Sequence, residues 1–184
     1  MRVLSVNVGL PRIVEHGGEP VFTAIFKDPV AGPVRVGDTN LEGDRQADLR
    51  VHGGYYKAVY VYPYEHYEYW RRELPDVDIT HGMFGENLTT EGILESDVRP
   101  GDELHIGTAV FVVTQPRSPC YKLRIRFGRK DMLRRFAKSG RSGFYLAIEK
   151  KGVLESGDPI RLLSGDHGGE TIDAVFRRKM NVNR

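Results

Sequence analysis

The chain has 184 residues, 40% of them hydrophobic and 28% charged, with a formal net charge of +2. That is enough chain for one domain with a full core, and its composition excludes a disordered or fibrous protein. No apolar run approaches the roughly 20 residues of a membrane helix. A single cysteine allows no internal disulfide, as in a reducing compartment.

In chain order, the spacing predicts a first strand over Arg2–Val8, with Leu4, Val6 and Val8 on one face. This start carries one basic residue and reads as a strand rather than a signal peptide, so the cytoplasm is the expected location. Further strands are expected at Val21–Lys27, Lys57–Tyr62, Glu103–Ile106, Ala109–Thr114, Phe144–Glu149 and Ile160–Leu163, all rich in β-branched and aromatic residues. Gly-Asp pairs at 37–38, 101–102 and 157–158 supply turns. Pro63 can start a helix in which Tyr64, Tyr67, Trp70 and Leu74 form one stripe, read as core packing. A second helix is expected over Lys130–Lys138, with Met132, Leu133, Phe136 and Ala137 inward. A third is expected over Thr171–Met180, where an apolar stripe would fold back on the body or pack on a second copy, as in a homodimer. Many short strands and few helices indicate a mainly β domain, a barrel or a sandwich. No repeat or linker divides the chain.

Charge is unevenly spread. Between Arg117 and Arg141 lie ten basic residues opposed only by Asp131, a segment suited to phosphates or to an acidic partner, or simply a solvated helix face. Aromatic residues are not interleaved with these charges, which argues against a nucleic-acid groove.

Three segments could carry chemistry. In Gln115-Pro116-Arg117-Ser118-Pro119-Cys120-Tyr121-Lys122-Leu123 two prolines stiffen the turn. The basic neighbours there suit a thiolate, the form of cysteine that ligates metal or attacks; the alternative is a buried cysteine acting as a small hydrophobe. In Gly43-Asp44-Arg45-Gln46-Ala47-Asp48 through His52-Gly53-Gly54 to Lys57, glycines allow close backbone approach, and Arg50, His52 and Lys57 could face an anion. In Phe84-Gly85-Glu86-Asn87-Leu88-Thr89, Asn87 offers the donors and acceptors that a heterocycle requires, or is simply part of a turn. No zinc spacing, G-x-S-x-G, Walker loop or dinucleotide fingerprint is present.

Taken together and in this order, these segments resemble the molybdenum cofactor sulfurase C-terminal (MOSC) domain family, and within it the bacterial branch linked to hydroxylaminopurine resistance. Lys27-Asp28-Pro29-Val30, Tyr62-Pro63 with Glu65-His66-Tyr67 and Trp70, and Gly143-Phe144-Tyr145 leading to Gly157-Asp158 complete the likeness. It covers residues 1–163, leaving 164–184 as a tail with a short helix. The resemblance implies a mainly β, MOSC-type barrel with a few peripheral helices, holding a molybdopterin-type molybdenum cofactor with Cys120 as the protein ligand of the metal. It further implies cofactor contacts from Lys27, His52, Lys57, Asn87, Arg117 and Arg141. The implied activity is reduction of N-hydroxylated bases and related N–OH compounds by a cytoplasmic oxidoreductase. No flavin or nicotinamide motif is visible, so electrons would come from a separate flavoprotein reductase or a small redox carrier. A non-catalytic cofactor carrier or sulfur-transfer module is the alternative. Tyr55-Tyr56 depart from the Pro-Asp type turn of the branch, and the tail is shorter than the helical region of near relatives.

Overall fold

Period-two alternation between aliphatic and aromatic residues, as in Val59-Tyr60-Val61-Tyr62, lets one strand feed two cores, and the fold is built on that device. The computed structural model describes residues 1–47, 53–163, 165 and 168–182. The strands are β1 (Arg2–Val8), β2 (Arg12–His16), β3 (Glu19–Thr23), β4 (Asp28–Val30), β5 (Val34–Val36), β6 (Val59–Pro63), β7 (Leu88–Glu91), β8 (Glu103–Ile106), β9 (Ala109–Pro116), β10 (Phe144–Lys150), β11 (Gly152–Leu154) and β12 (Ile160–Leu163). The α-helices are α1 (Glu65–Glu73), α2 (Lys122–Phe127), α3 (Met132–Ser139) and α4 (Ile172–Val182), and a 3-10 turn spans Tyr55–Lys57.

Eight strands form one mixed sheet in the order β12-β8-β9-β10-β6-β7-β1-β4, while β2–β3 and β5–β11 form separate pairs. Every pairing is antiparallel except β6 with β7, whose parallel register requires the crossover that carries α1. All five residues of β6 are buried. Val59 and Val61 join the aliphatic core with Val6, Leu88, Phe111 and Phe144. Tyr60 and Tyr62 enter a second, aromatic core with Tyr67, Trp70, Phe84 and Phe136, under α1 and α3. Trp70 lies near-parallel to Phe136 at 6.3 Å, and its indole N–H donates to the Tyr62 hydroxyl at 2.6 Å. Buried aromatics of this size carry large apolar area and need such partners for their polar ends.

The expected mainly β class holds. The barrel expected with it is not closed by strand ladders: β12 and β4 are the ends of the strand order. An isolated Arg2–Pro159 bridge and hydrogen bonds between Val3 and residues 157 and 158 nonetheless tie β1 to the approach to β12. Two local expectations change. The face of β1 is not Leu4, Val6 and Val8: a register shift between Val3 and Ser5 breaks the alternation, so that Val3 and Val6 are both fully buried. The strand expected at Val21–Lys27 ends at Thr23, and residues 24–27 run outside any ladder. Helix α4 folds back on its own chain, with Ile172 and Phe176 buried and its first N–H groups donating to the Val98 and Glu95 carbonyls. No helix among the described residues is long and apolar enough to cross a membrane.

Candidate functional site

The crossover into β7 ends in a turn built around a buried carboxylate. Glu86 accepts hydrogen bonds from the Gly82 and Phe84 N–H groups at 2.8 and 3.0 Å, from the Thr89 hydroxyl at 3.1 Å, and from the Tyr67 hydroxyl. Burial pushes its carboxyl above the usual range, and Tyr67 and the backbone donors oppose that push. Gly82 has φ 78°, and a Cβ there would press on the Lys27 carbonyl, so glycine is required at this point of the turn.

Asn87 follows and ties three segments together. Its carbonyl oxygen accepts from Tyr60 N–H at 3.1 Å, and its amide donates to Asp44 Oδ2 at 3.0 Å and to the Asn7 carbonyl at 3.3 Å. Asp44 Oδ1 accepts from Gly9 N–H at 2.9 Å and from the Lys27 ammonium. Asp44 is 1% and Lys27 7% exposed. Burial lowers the Lys27 pKa, and the Asp44 charge and hydrogen bond work against that lowering.

Cys120 lies between the end of β9 and the start of α2 and is partly exposed. Its carbonyl accepts the Leu123 N–H at 2.9 Å, which helps wind α2 directly after it. Arg117, at the exit of β9, is buried; it donates to the Phe84 carbonyl and lies 4.7 Å over the Tyr60 ring. Tyr145 is held protonated by burial; the Arg117 charge opposes this and Cys120 adds to it. The Tyr60 hydroxyl, also held protonated by burial, donates to the Ser142 carbonyl at 2.7 Å.

These elements enclose an open-mouthed cavity. Lys27, Asp44 and Asn87 face it from one side, Arg117, Cys120 and Lys122 from another, with Tyr60, Lys57 and Tyr145 between. Among the described residues its walls carry five basic side chains, Lys27, Arg45, Lys57, Arg117 and Lys122, against one carboxylate, Asp44. A concave site with so one-sided a charge accommodates an anionic ligand.

Of the expected site residues, Lys27, Lys57, Asn87, Arg117 and Cys120 thus share one cavity. His52 lies outside the described residues. Arg141 is not among the lining residues: its guanidinium stacks 3.8 Å over Tyr69 and donates to the Ser139 carbonyl at 2.9 Å. A chain position downstream of Cys120 did not reveal that the Ser139–Ser142 segment turns toward α1. The basic segment also divides. Arg117 and Lys122 turn inward, Arg129 and Arg135 pair with Asp76, Asp131 and Glu73, and Arg124, Lys130, Arg134 and Lys138 remain exposed. Asp44 and Glu86 were not expected as site residues, although each lies within a segment singled out above. Tyr60 and Tyr145 could have been found from strand alternation, which turns them away from Val59, Val61, Phe144 and Leu146.

A mixed sheet with a polar, cationic cavity lined in part by a cysteine has the form of a ligand-binding β domain. Residues 48–161 match the MOSC domain, and the chain belongs to that family. It is 41% identical over 181 residues to the uncharacterized protein YflK of Bacillus subtilis (strain 168), covering 98% of this chain and 80% of that one. A protein of Gibberella moniliformis (strain M3125 / FGSC 7600) named "Reductase" is 37% identical over 164 residues, which cover 88% of this chain but 29% of that protein. The crystal structure of YiiM from Geobacillus stearothermophilus superimposes with a TM-score of 0.81 at 35% identity, covering 98% of this chain and 84% of that one.

Proposed function

We propose that this chain is a molybdenum-cofactor-dependent reductase of N-hydroxylated bases and related N–OH compounds, working in the cytoplasm with a separate electron donor. The observation that carries the reading is the thiol of Cys120 on the wall of a cavity that, among the described residues, has five basic side chains against one carboxylate. That donor set fits a phosphate-bearing pterin with a thiophilic metal: the cations meet the phosphate, and a soft sulfur ligand meets the metal. Membership of the MOSC family and the name of the Gibberella relative support it. Residues 1–163 form the MOSC domain in this reading, with the sheet curling toward a barrel through the Val3–Asp158 contact, and residues 164–184 form a tail.

Lys27, Lys57, Arg117 and Lys122 would hold the anionic end of the cofactor, and Cys120 would ligate the metal. Both amide donors of Asn87 are committed to Asp44 and Asn7, so Asn87 sets the position of Asp44 and, through it, of Lys27. When bound, the cofactor supplies the two-electron chemistry: R–NH–OH, two electrons and two protons give R–NH₂ and water. The electrons come from a flavoprotein reductase or a small redox carrier. Tyr145 keeps its phenolic proton, holding a donor beside Cys120. The exposed Arg124, Lys130, Arg134 and Lys138 follow Cys120 in sequence and offer an acidic donor a place to dock.

The test is molybdenum by elemental analysis on wild type and Cys120→Ala, each expressed in a host that makes the cofactor and purified without oxygen. Near one equivalent in wild type and none in the variant, with N–OH reduction under an artificial electron donor, supports the reading. Metal without turnover of any N–OH compound makes the chain a cofactor carrier. No metal in either protein overturns the cofactor assignment.

A further inference from the structure

Behind the cavity wall, two guanidiniums share one aromatic ring. Ile25 and Lys27 line the cavity, and Phe26 between them does not. The Cζ of Arg12, on β2, lies 3.9 Å from the centre of the Phe26 ring, and that of Arg126, on α2, lies 5.1 Å from it. Arg12 is exposed and Arg126 half-buried, with Arg126 Nε fully covered and without a hydrogen-bond partner. Among the described residues neither guanidinium donates a hydrogen bond or joins an ion pair. Arg129 and Arg135, close by in sequence, do so with Asp76, Asp131 and Glu73. Burial lowers the Arg126 pKa and the Arg12 charge lowers it further, while Asp28 and Glu86 oppose the lowering without pairing with it.

We infer that Arg12 and Arg126, gathered on Phe26, form a binding site for a phosphate-class dianion, taken as the free ion or as a phosphomonoester, outside the cavity. Two observations carry it. The first is the unspent donors. A guanidinium has five N–H groups, and one that is half-buried yet gives none of them to the protein leaves the loss of its water uncompensated. A covered polar atom without a partner, such as Arg126 Nε, marks the place of a water or an ion. The second is the pairing of charges. Phe26 holds two such forks within reach of one ligand, and two guanidiniums match a dianion in charge and offer its oxygens paired donors. A single carboxylate would neutralise half of that charge, and Asp28, whose charge Arg126 feels, does not bridge the two. Bound there, the anion ties β2 to α2 across residues 24–27, a stretch that no strand ladder holds. The site uses neither Cys120 nor the cofactor, so it stands independently of the reductase reading.

Arginine Nε–H resonances in proton–nitrogen correlation spectra of the full chain read the site directly, each assigned by its loss in Arg12→Gln or Arg126→Lys protein. The probes are inorganic phosphate, ribose 5-phosphate and acetate, added at constant ionic strength with chloride as the balancing anion. Phosphate should move the Arg12 and Arg126 resonances together along one saturating curve with a midpoint on the order of 1 mM. Arg12→Gln alters only an exposed side chain, and it should weaken the curve read at Arg126 about tenfold. Arg126→Lys keeps the charge but loses the fork, and it should weaken the curve read at Arg12 by about the same factor. Acetate should bind at least about tenfold more weakly than phosphate. Ribose 5-phosphate binding more tightly than phosphate upholds the site with a phosphomonoester as its ligand, and equal affinity upholds it with the free ion. Phosphate that enters the cationic cavity alone would leave both resonances in place, and that result overturns the site. So do shifts that never saturate, acetate matching phosphate, or an Arg126 curve unchanged by Arg12→Gln.

Discussion

Asp44→Asn offers the sharpest test of how the floor of the cavity is held. Asp44 has no exposed surface to speak of and accepts from three donors, Gly9 N–H and the Lys27 ammonium on Oδ1 and the Asn87 amide on Oδ2. A carboxamide has the same shape but must turn its NH₂ toward one of these sets, and neither orientation avoids a donor facing a donor. It also leaves the Lys27 charge buried without its counter-ion. Removing one partner of a buried ion pair costs about 3–5 kcal/mol, a large part of the roughly 5–15 kcal/mol by which domains are stable. For a chain of this size that is a fall in Tm on the order of 10 °C. Equilibrium urea unfolding followed by circular dichroism measures it, and Lys27→Met completes the cycle. The double variant should be more stable than the two single losses predict by at least about 1 kcal/mol, because the orphaned ammonium is then gone. Asp44→Asn within 1 kcal/mol of wild type, or strictly additive losses, would refute the ion-pair argument.

Two further outcomes follow from the same residues. Because burial raises the Glu86 carboxyl in the folded chain, its proton-linked stability is fully present below the unfolded value and is lost as pH rises through the folded one. The stability advantage of wild type over Glu86→Gln should therefore shrink from pH 4.5 toward pH 8 in parallel urea titrations, and an advantage that grows would contradict the assignment. Gly143 has φ 61°, and a Cβ there would press on the Val61 carbonyl and the rings of Tyr60 and Tyr62. Gly143→Ala should lose about 3 kcal/mol or more by the same assay, and a loss below 1 kcal/mol would show that the β6–β10 junction gives way easily.

Much of the fold was legible because alternation and helical stripes report burial directly. Strands β8, β9, β10 and β12 and helices α1 and α3 lie within a few residues of where the pattern puts them. The short α2 was not legible, since Arg117–Arg126 reads as a charge run, and only the tertiary contacts of Leu123 and Phe127 make it a helix. Residues 24–27 have strand composition but serve as a cavity wall, lined through Ala24, Ile25 and Lys27. For the site, the three suspect segments converge on one cavity, and an unusual density of polar residues around glycine marks a place where the chain is not simply packing. They did not reveal the acceptors: Asp44 and Glu86 look like ordinary turn carboxylates until distant donors are seen to converge on them. Nor did they reveal Tyr69, from α1 far upstream, as the ring over which the Arg141 guanidinium lies.

The cavity floor also has a bearing on the order of events as the chain folds. Asn7, Lys27, Asp44, Asn87, Arg117 and Tyr145 come from β1, β10 and the stretches between, and are joined only across long sequence separations. Such contacts form late, after the loops between them have closed. A nascent chain that has not yet delivered β10 lacks one wall of the chamber altogether. A ligand that needs both walls is therefore bound only after β10 has joined the sheet.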